Sequence, residues 1–320
     1  MGTQHGSPDR PGVVDAPSRG RGVAPRLPLA MADFARRGFR VDRPQPREHL
    51  ERHARSFLTG YNLAAAHWRS VRAAVDTLPA EERGFAHEGA AMYAGQRDVF
   101  TRGRSVAALL AESGADYPHM IHVGAGWALA VSRLPFPVRL TDTPLLRWLA
   151  LDGAGFAEVF FGGRRALRRR TERAGADPLR LIRLAGSGRA LWFMTAGDPE
   201  DIREFVAEAP APTRPALWSG VGLASAYAGG VPPRELDALR EYAGAHAGHL
   251  AQGVVFAATA RTRSGIVPEH TALACERIAG TTPEIATGWS EEAAADLGER
   301  ADVTAFLRWR EGIRTLSARG

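Results

Sequence analysis

A repeated Gly-x-Gly-apolar-Ala pattern constrains the fold more than any other feature of the 320-residue sequence. The clearest copies begin at Gly124, Gly153, Gly186 and Gly220, and weaker copies surround Ala86 and Ala257. Aligned on the alanine, successive copies lie 42, 29, 33, 34 and 33 residues apart. This spacing leaves room for two helices in each unit, as in helical-repeat proteins.

Prolines recur with the same spacing. Pro199, Pro233 and Pro268 lie 34 and 35 residues apart, and each stands before a polar stretch with helical periodicity. Proline is favoured in the first turn of a helix, and Asp198 is a suitable N-cap for the helix that follows it. Each unit is therefore predicted to contain an apolar helix opened by glycine, a glycine-rich break and a polar helix opened by proline.

The paired glycines have two interpretations. Small residues let two helix backbones approach closely, whereas glycine-rich helix openings can also bind phosphate. Six similar copies cannot all be phosphate sites. They also lack the third glycine, the preceding strand and the downstream acid of a dinucleotide-binding motif. The pattern therefore favours close helix packing.

These patterns predict an all-α protein built from repeated helical hairpins, stacked as an α-solenoid or closed into an α/α toroid. Residues 31–320 are expected to form a single helical-repeat domain, whose first helices span residues 47–59 and 62–78. Residues 1–30 are rich in Gly, Pro, Ser and Arg, and they are predicted to be a disordered arm. Met31 opens the patterned part of the chain and is a second candidate for the start.

All 41 basic residues are arginine, which excludes mechanisms that need a lysine, such as Schiff-base chemistry. Residues 1–48 carry four of the six net positive charges, so the rest of the chain is nearly neutral and no nucleic-acid-binding face is predicted. The single cysteine, Cys275, excludes a disulfide framework and fits a cytoplasmic protein. The apolar run from Val123 to Val131 is far shorter than the roughly 20 residues of a membrane span.

A series of apolar segments carries a family resemblance. Its members are Phe34-Ala-Arg-Arg-Gly-Phe39, Arg83-Gly-Phe-Ala-His-Glu88, His122-Val-Gly-Ala-Gly-Trp127, Leu149-Ala-Leu-Asp-Gly-Ala-Gly-Phe156, Gly188-Arg-Ala-Leu-Trp-Phe193, Leu217-Trp-Ser-Gly-Val-Gly222 and Gln252-Gly-Val-Val-Phe256. The ordered series resembles the bacterial DUF1702 family over roughly residues 34–290. Members of that family are often found in gene clusters for enediyne polyketides.

The resemblance implies an accessory protein of enediyne-type polyketide biosynthesis that binds or acts on a hydrophobic intermediate in a helical pocket. The alternative is a non-catalytic scaffold or binding partner of the polyketide synthase or its carrier protein. The resemblance names neither a reaction nor a cofactor.

Three polar residues are candidates for catalysis. Glu88 lies within Phe85–Met92, where every other residue except His87 is small or apolar. A buried carboxylate costs several kcal/mol unless it is paired or protonated, so Glu88 is either an acid/base group with a raised pKa or the partner of an arginine. Asp152 stands in a similar context, with a helix cap as the alternative. His122 completes the candidate set, and its alternative is packing at a helix end.

Two His-x-x-His pairs, His119/His122 and His246/His249, have the spacing that places two imidazoles on one helix face. They lack the Glu-x-x-His signature of di-iron bundles. Packing or capping at helix ends is the simpler interpretation, so no metal site is predicted.

Four residues are candidates for ligand binding. Trp127, Trp218 and Tyr227 lie in or beside the repeated segments and could line an apolar pocket, although aromatic residues at recurring positions are more often core. Arg189 replaces the apolar residue of the repeat. It is predicted either to bind an anionic group or to pair with Glu88 or Asp152.

An arginine-rich stretch is a candidate for partner binding. Residues 164–183 carry a net charge of +6. The arginines proposed to dock an acidic partner, such as an acyl carrier protein, are Arg164, Arg165, Arg168, Arg169 and Arg170. Arginine suits carboxylates and phosphates, but the alternative is a solvated helix face. No aromatic residues alternate with these arginines in a way that supports nucleic-acid binding.

Overall fold

The structure is a computed structural model that describes residues 26–102, 104–131, 141 and 143–319. These residues form α-helices joined by short 3-10 turns and contain no strand, which confirms the all-α prediction. The helices are α1 (Phe34–Arg37), α2 (Pro44–Ala66), α3 (Val71–Val75), α4 (Arg83–Thr101), α5 (Arg104–Ser113), α6 (Pro118–Val131), α7 (Leu149–Ala174), α8 (Pro178–Met194), α9 (Pro199–Glu208), α10 (Arg214–Tyr227), α11 (Pro233–Ala243), α12 (Ala247–Arg263), α13 (Glu269–Ala274), α14 (Pro283–Ala295) and α15 (Val303–Ser317). In the described part of the chain, no helix has both the length and the apolar character needed to cross a membrane.

The start of the chain departs in part from expectation. Residues 1–25 of the predicted arm lie outside the described residues. Leu27 exchanges two hydrogen bonds with Asn62, at 2.8 and 2.9 Å, so packing begins before Met31. The boundary predicted between the helices over 47–59 and 62–78 is wrong, because α2 runs unbroken from Pro44 to Ala66 and is followed by a 3-10 turn over Trp68–Ser70 and by α3.

The long apolar helices pack in succession. In the order α2, α4, α6, α7, α8, α10 and α12, each helix packs against the next, while shorter helices such as α9 and α11 lie outside them and α14 covers α12. The succession curves back on itself. Arg261, near the end of α12, donates hydrogen bonds to the carbonyl of Glu81, just before α4, at 3.0 Å and to that of Tyr227 at 2.6 Å.

Glycines let the successive helices touch through their backbones. A Cβ on Gly126 of α6 would lie 1.9 Å from the Ala150 carbonyl oxygen of α7. A Cβ on Gly153 of α7 would lie equally close to the Val123 carbonyl oxygen of α6. The close-packing interpretation of the Gly-x-Gly repeat is therefore confirmed. Its predicted place at the helix start is wrong, because the four clear pairs begin four to eight residues after the first residue of their helices, where close packing outweighs the poor helix propensity of glycine.

The prolines stand where the spacing predicts. Helices α9 and α11 begin at Pro199 and Pro233, and α13 begins directly after Pro268. Asp198 caps α9, since its Oδ1 accepts hydrogen bonds from the backbone N–H groups of Glu200 and Asp201, both at 3.0 Å.

Candidate functional site

An apolar chamber of about 40 Å³ lies among α2, α4, α6, α7, α8 and the segment around Met31. Its aromatic lining consists of Phe57, Phe85, Trp127, Phe156, Phe160, Phe161 and Phe193. Its polar lining consists of Arg37, His53, Glu88 and Arg189. By itself this volume holds a few water molecules or the end of a ligand chain.

A network of buried charges forms one wall of the chamber. Oε1 of Glu88 accepts a hydrogen bond from Trp127 Nε1 at 2.8 Å and lies 3.7 Å from Nη2 of Arg189. Nε of Arg189 lies 2.8 Å from Oδ1 of Asp152. The guanidinium also stacks 4.8 Å from the centre of the Phe156 ring. Arg189 therefore stands between the two carboxyl groups, which the repeat places on α4 and α7.

Burial sets the protonation of this network. It raises the pKa of Glu88 and of Asp152, because a carboxylate loses its hydration there, although Arg189 opposes the shift in both. Arg310 extends the network beyond Asp152. Its guanidinium donates to Gln252 Oε1 and Ser219 Oγ, both at 3.1 Å, and burial lowers its pKa to about 10.

A second enclosed cavity of about 30 Å³ lies on the other side of Arg189, which lines both spaces. Asp152, His119 and Tyr227 also line it. Burial raises the pKa of Tyr227 to about 12 and lowers that of His119 to about 3, so both side chains are neutral near pH 7. Of the predicted ligand-binding residues, Tyr227 thus belongs to this second cavity rather than to the chamber.

A much larger outer cavity, of about 780 Å³, adjoins the chamber. Met31 and Phe161 line both spaces, so the two are neighbours across these apolar side chains. The remaining lining of the outer cavity includes the apolar residues Leu27, Met92, Ala130, Ala157 and Ala166 and the charged residues Glu158, Arg169, Arg170 and Arg173.

The structure does not bring His122 to the other two catalytic candidates. Its Nδ1 lies 2.6 Å from the Pro118 carbonyl oxygen, and its Nε2 lies 2.7 Å from Thr141 Oγ1. It lines neither the chamber nor the second cavity, because its face of α6 turns toward Thr141. The expected three-residue catalytic set therefore reduces to Glu88 and Asp152.

Trp218 packs as core rather than as a pocket residue. It is 2% exposed on α10 and is not part of the lining of the chamber, the outer cavity or the second cavity. Trp127, by contrast, lines the chamber and donates to Glu88. Trp127 directly follows its Gly-x-Gly pair, whereas Trp218 stands two residues before Gly220, so the two tryptophans differ in their place in the repeat.

The five arginines predicted to dock a partner have different surroundings around α7. On one side of α7, the Arg164 guanidinium lies 4.5 Å from the centre of the Phe205 ring, and Arg168 pairs with Glu208 at 3.1 Å. On another side, Arg170 pairs with Glu158. A helix turns about 100° per residue, so neighbouring arginines separate around it. Arg165 and Arg169 are the two members of the predicted set with no carboxylate or aromatic partner among the described residues.

Sequence reasoning missed the histidine of the chamber. His53 stacks on Phe85 with ring centres 4.2 Å apart, and its Nδ1 lies 3.0 Å from Oε2 of Glu82. Its Nε2 lies 3.0 Å from the Ala228 carbonyl oxygen. The i, i+4 spacing of His49 and His53 was a usable signal, but the Glu82 partner depends on tertiary packing.

The His-x-x-His pairs behave as separate side chains. The rings of His246 and His249 are 6.4 Å apart, and His119 and His122 line different surroundings. Within residues 26–319, as far as they are described, no group of three or more His, Cys, Asp or Glu side chains is arranged to hold a metal ion.

Comparison with known proteins supports the family resemblance. The family model of DUF1702, described as a protein of unknown function, matches residues 21–316. No curated protein and no solved structure matches the chain. Because the match covers most of the chain, this protein belongs to the DUF1702 family.

Proposed function

We propose that this protein binds a hydrophobic, unsaturated intermediate as an accessory protein of enediyne-type polyketide biosynthesis in the cytoplasm. The observation that carries the proposal is the large outer cavity beside the aromatic chamber, with Met31 and Phe161 lining both. Ligand sites for small molecules commonly measure about 300–1,000 Å³, and the outer cavity falls in that range.

The lining suits a conjugated chain. Trp127 lies 4.3 Å from Phe57 and 5.0 Å from Phe156 between ring centres, so the chamber offers aromatic faces and edges at several angles. Planar π systems gain from such offset and edge contacts in addition to the burial of their area. The body of the ligand would occupy the outer cavity, and one end would reach the chamber.

Glu88 gives the site one chemical capability beyond binding. Burial raises the pKa of Glu88, so this carboxyl keeps its proton to a higher pH than a free glutamate does. When protonated, it can donate that proton to a ligand end held at the wall of the apolar chamber. The same network can also serve only to hold α4, α7 and α8 together. An enzyme and a binding protein therefore share this site, and the two functions differ in whether the ligand is changed.

Binding is tested with the methyl ester of trans-parinaric acid, a neutral polyene whose fluorescence rises in apolar surroundings. The wild-type protein should bind it saturably. Ala130→Trp should weaken binding at least about tenfold, because a bulky side chain would fill part of the outer cavity, which Ala130 lines. The matched control is Ala108→Trp, at an exposed position of α5, which should bind like the wild type. Equal binding by both variants, or no saturable binding by the wild type, would refute the proposal.

The biosynthetic role is tested by deleting the gene and analysing the culture by mass spectrometry. Accumulation of a new unsaturated intermediate would support an enzyme. A uniform fall in yield without a new intermediate would support a binding partner. Unchanged production of every polyketide would contradict both roles.

A second candidate function is docking of an acidic acyl carrier protein, with no role for nucleic acid or membrane. It is favoured by the two exposed arginines without a carboxylate partner among the described residues, Arg165 and Arg169. Arg165→Glu/Arg169→Glu should weaken carrier-protein binding at least about tenfold in a titration, since two attractive charges become repulsive. The matched control, Arg180→Glu/Arg234→Glu, changes two other arginines by the same charge. Unchanged affinity in the first variant would refute the docking function.

A further inference from the structure

We propose that Arg37 anchors a carboxylate of the bound ligand, so that the site takes unsaturated chains that end in a carboxylate. This inference rests on the proposed function, because it concerns the same cavity. It adds the class of ligand and the residue that recognises it.

Arg37 stands where the chamber meets the outer cavity. Its guanidinium carbon lies 4.4 Å from the centre of the Phe160 ring and 4.9 Å from that of Phe161, and Phe161 lines both spaces. Its Nε donates to the Met31 carbonyl, and its Nη1 donates to the Phe160 carbonyl at 3.3 Å. The aromatic rings and the two carbonyls thus hold the guanidinium at the junction.

The charge of Arg37 lacks an anion in the described part of the chain. No carboxylate lies within 4.0 Å of it there, and its Nη2 has no hydrogen-bond partner. Burial lowers the pKa of this half-buried guanidinium to about 10. A cation placed against apolar surface without a counter-charge is costly, and a ligand carboxylate would offset that cost.

Two other buried arginines, Arg261 and Arg310, also lack a carboxylate partner among the described residues, but neither lines the chamber. Both Nη atoms of Arg261 donate to backbone carbonyls, and Arg310 donates through Nε and Nη2 to neutral side chains. Arg189 has Asp152 at 2.8 Å. Arg37 is the arginine of the chamber lining that has no carboxylate partner among the described residues, and it stacks on Phe161, which also lines the outer cavity.

A short capped turn gives Arg36 and Arg37 opposite surroundings. Asp33 caps α1, and Gly38 ends the helix with a φ of +66°, a conformation that glycine adopts without strain. The Arg36 side chain is 72% exposed and lies 3.8 Å from Asp33, whereas the Arg37 side chain lines the chamber. The neighbouring arginine is therefore a matched control for the same substitution.

A guanidinium binds a carboxylate through paired hydrogen bonds that a methyl ester cannot reproduce. Hydrogen bonds to charged groups are worth enough to change affinity by about ten- to a hundredfold. We therefore expect the ligand acid to bind more tightly than its ester, and we expect that difference to depend on Arg37.

The test is a fluorescence titration near pH 7 with trans-parinaric acid and with its methyl ester. The proteins are the wild type, Arg37→Gln, Arg37→Lys and Arg36→Gln. The wild type and Arg36→Gln should bind the acid at least about tenfold more tightly than the ester. Arg37→Gln should bind both probes alike, with the affinity that the wild type shows for the ester. Arg37→Lys should keep part of the preference, because it keeps the charge.

Two results would overturn Arg37 as the anchor while leaving the proposed function intact. One is equal affinity of the wild type for acid and ester, and the other is a preference for the acid that survives in Arg37→Gln. Failure of both probes to bind the wild type would overturn the proposed function itself. Circular dichroism verifies that each variant is folded. If Arg37→Gln does not fold, Arg37→Lys takes its place in the test, and Arg169→Gln is added to it. An undiminished preference for the acid over the ester in Arg37→Lys, together with a lost preference in Arg169→Gln, would assign the anchor to Arg169.

Discussion

Arg189 is the residue on which the buried centre depends, because it is the cation between Glu88 and Asp152. Removing one partner of a buried ion pair typically costs about 3–5 kcal/mol, since the remaining charge is left without compensation. Arg189→Met should therefore lower the free energy of unfolding by about that amount in urea titrations.

The control for this prediction removes the charges together. Arg189→Met combined with Glu88→Gln and Asp152→Asn should recover much of the lost stability, because no uncompensated charge remains. If the single substitution costs less than about 1 kcal/mol, the network does not hold the centre.

Glu88 should make stability depend on pH in an unusual direction. Burial raises the pKa of Glu88 in the folded state, so the folded protein binds this proton more tightly than the unfolded chain does. Its contribution to stability is then fully present below the unfolded pKa and is lost as pH rises through the raised folded pKa. Relative to the wild type, Glu88→Gln should therefore gain stability as pH rises above the ordinary glutamate pKa. A stability difference that is independent of pH would contradict the raised pKa.

Part of this centre could be predicted from the residues alone. A carboxyl group in the apolar segment Phe85–Met92 predicts either pairing or a raised pKa, and the structure has both for Glu88. The sequence did not predict that His122 lies apart from Glu88, because its ring is directed by Thr141, which lies 19 residues further along the chain. The open edge of Arg37 likewise depends on a turn that only the fold creates.

At the level of the elements, the glycines decide how closely the helices pack. A Cβ on Gly155 of α7 would lie 1.7 Å from the Arg183 carbonyl oxygen of α8. Gly155→Ala should therefore lower the free energy of unfolding by at least about 1–3 kcal/mol, because the two backbones must move apart. Urea titration followed by circular dichroism measures the change.

Gly288 provides the matched control for this substitution. It lies inside α14, and a Cβ there would have no atom within 4 Å. Gly288→Ala should raise the free energy of unfolding by about 0.5–1 kcal/mol, because alanine is the better helix former. Equal effects of the two substitutions would show that propensity, rather than close helix contact, explains the repeated glycines.

The elements themselves could be predicted better than their boundaries. Proline spacing and the cap at Asp198 gave the starts of the polar helices. The glycine pairs predicted the apolar helices but not their boundaries. They were expected at the helix starts because glycine is a poor helix former, and only the tertiary contact between backbones explains their place within the helices. The arginine stretch was predicted as one surface, although Gly163 kinks α7 and the helix distributes the side chains around it.

For the whole molecule, buried and half-buried histidines should make the fold sensitive to acid. Burial lowers the pKa of His49, His87, His119, His249 and His270 to values between about 3 and about 4. The unfolded chain binds these protons more readily, so stability is lost as pH falls below the ordinary histidine value. The free energy of unfolding should fall by several kcal/mol between about pH 7 and about pH 4.

Urea titrations across that range measure this loss. Glu88 and Asp152, whose pKa values are raised, stabilise the folded state as pH falls and so reduce this loss of stability. Glu88→Gln should therefore lose more stability between about pH 7 and about pH 4 than the wild type does. A free energy of unfolding that stays constant from about pH 7 to about pH 4 would show that these histidines are accessible to protons in the folded protein.

The central claim is that the outer cavity, together with the chamber beside it, holds an unsaturated ligand. The most direct measurement is anomalous diffraction from crystals grown with an unsaturated fatty acid that carries bromine near the middle of its chain. The bromine signal should lie among Met31, Met92 and Phe161, with the carboxylate at Arg37. It should be absent from crystals of Ala130→Trp. A bromine signal only on the outer surface, or the same signal in the Ala130→Trp crystals, would contradict the claim.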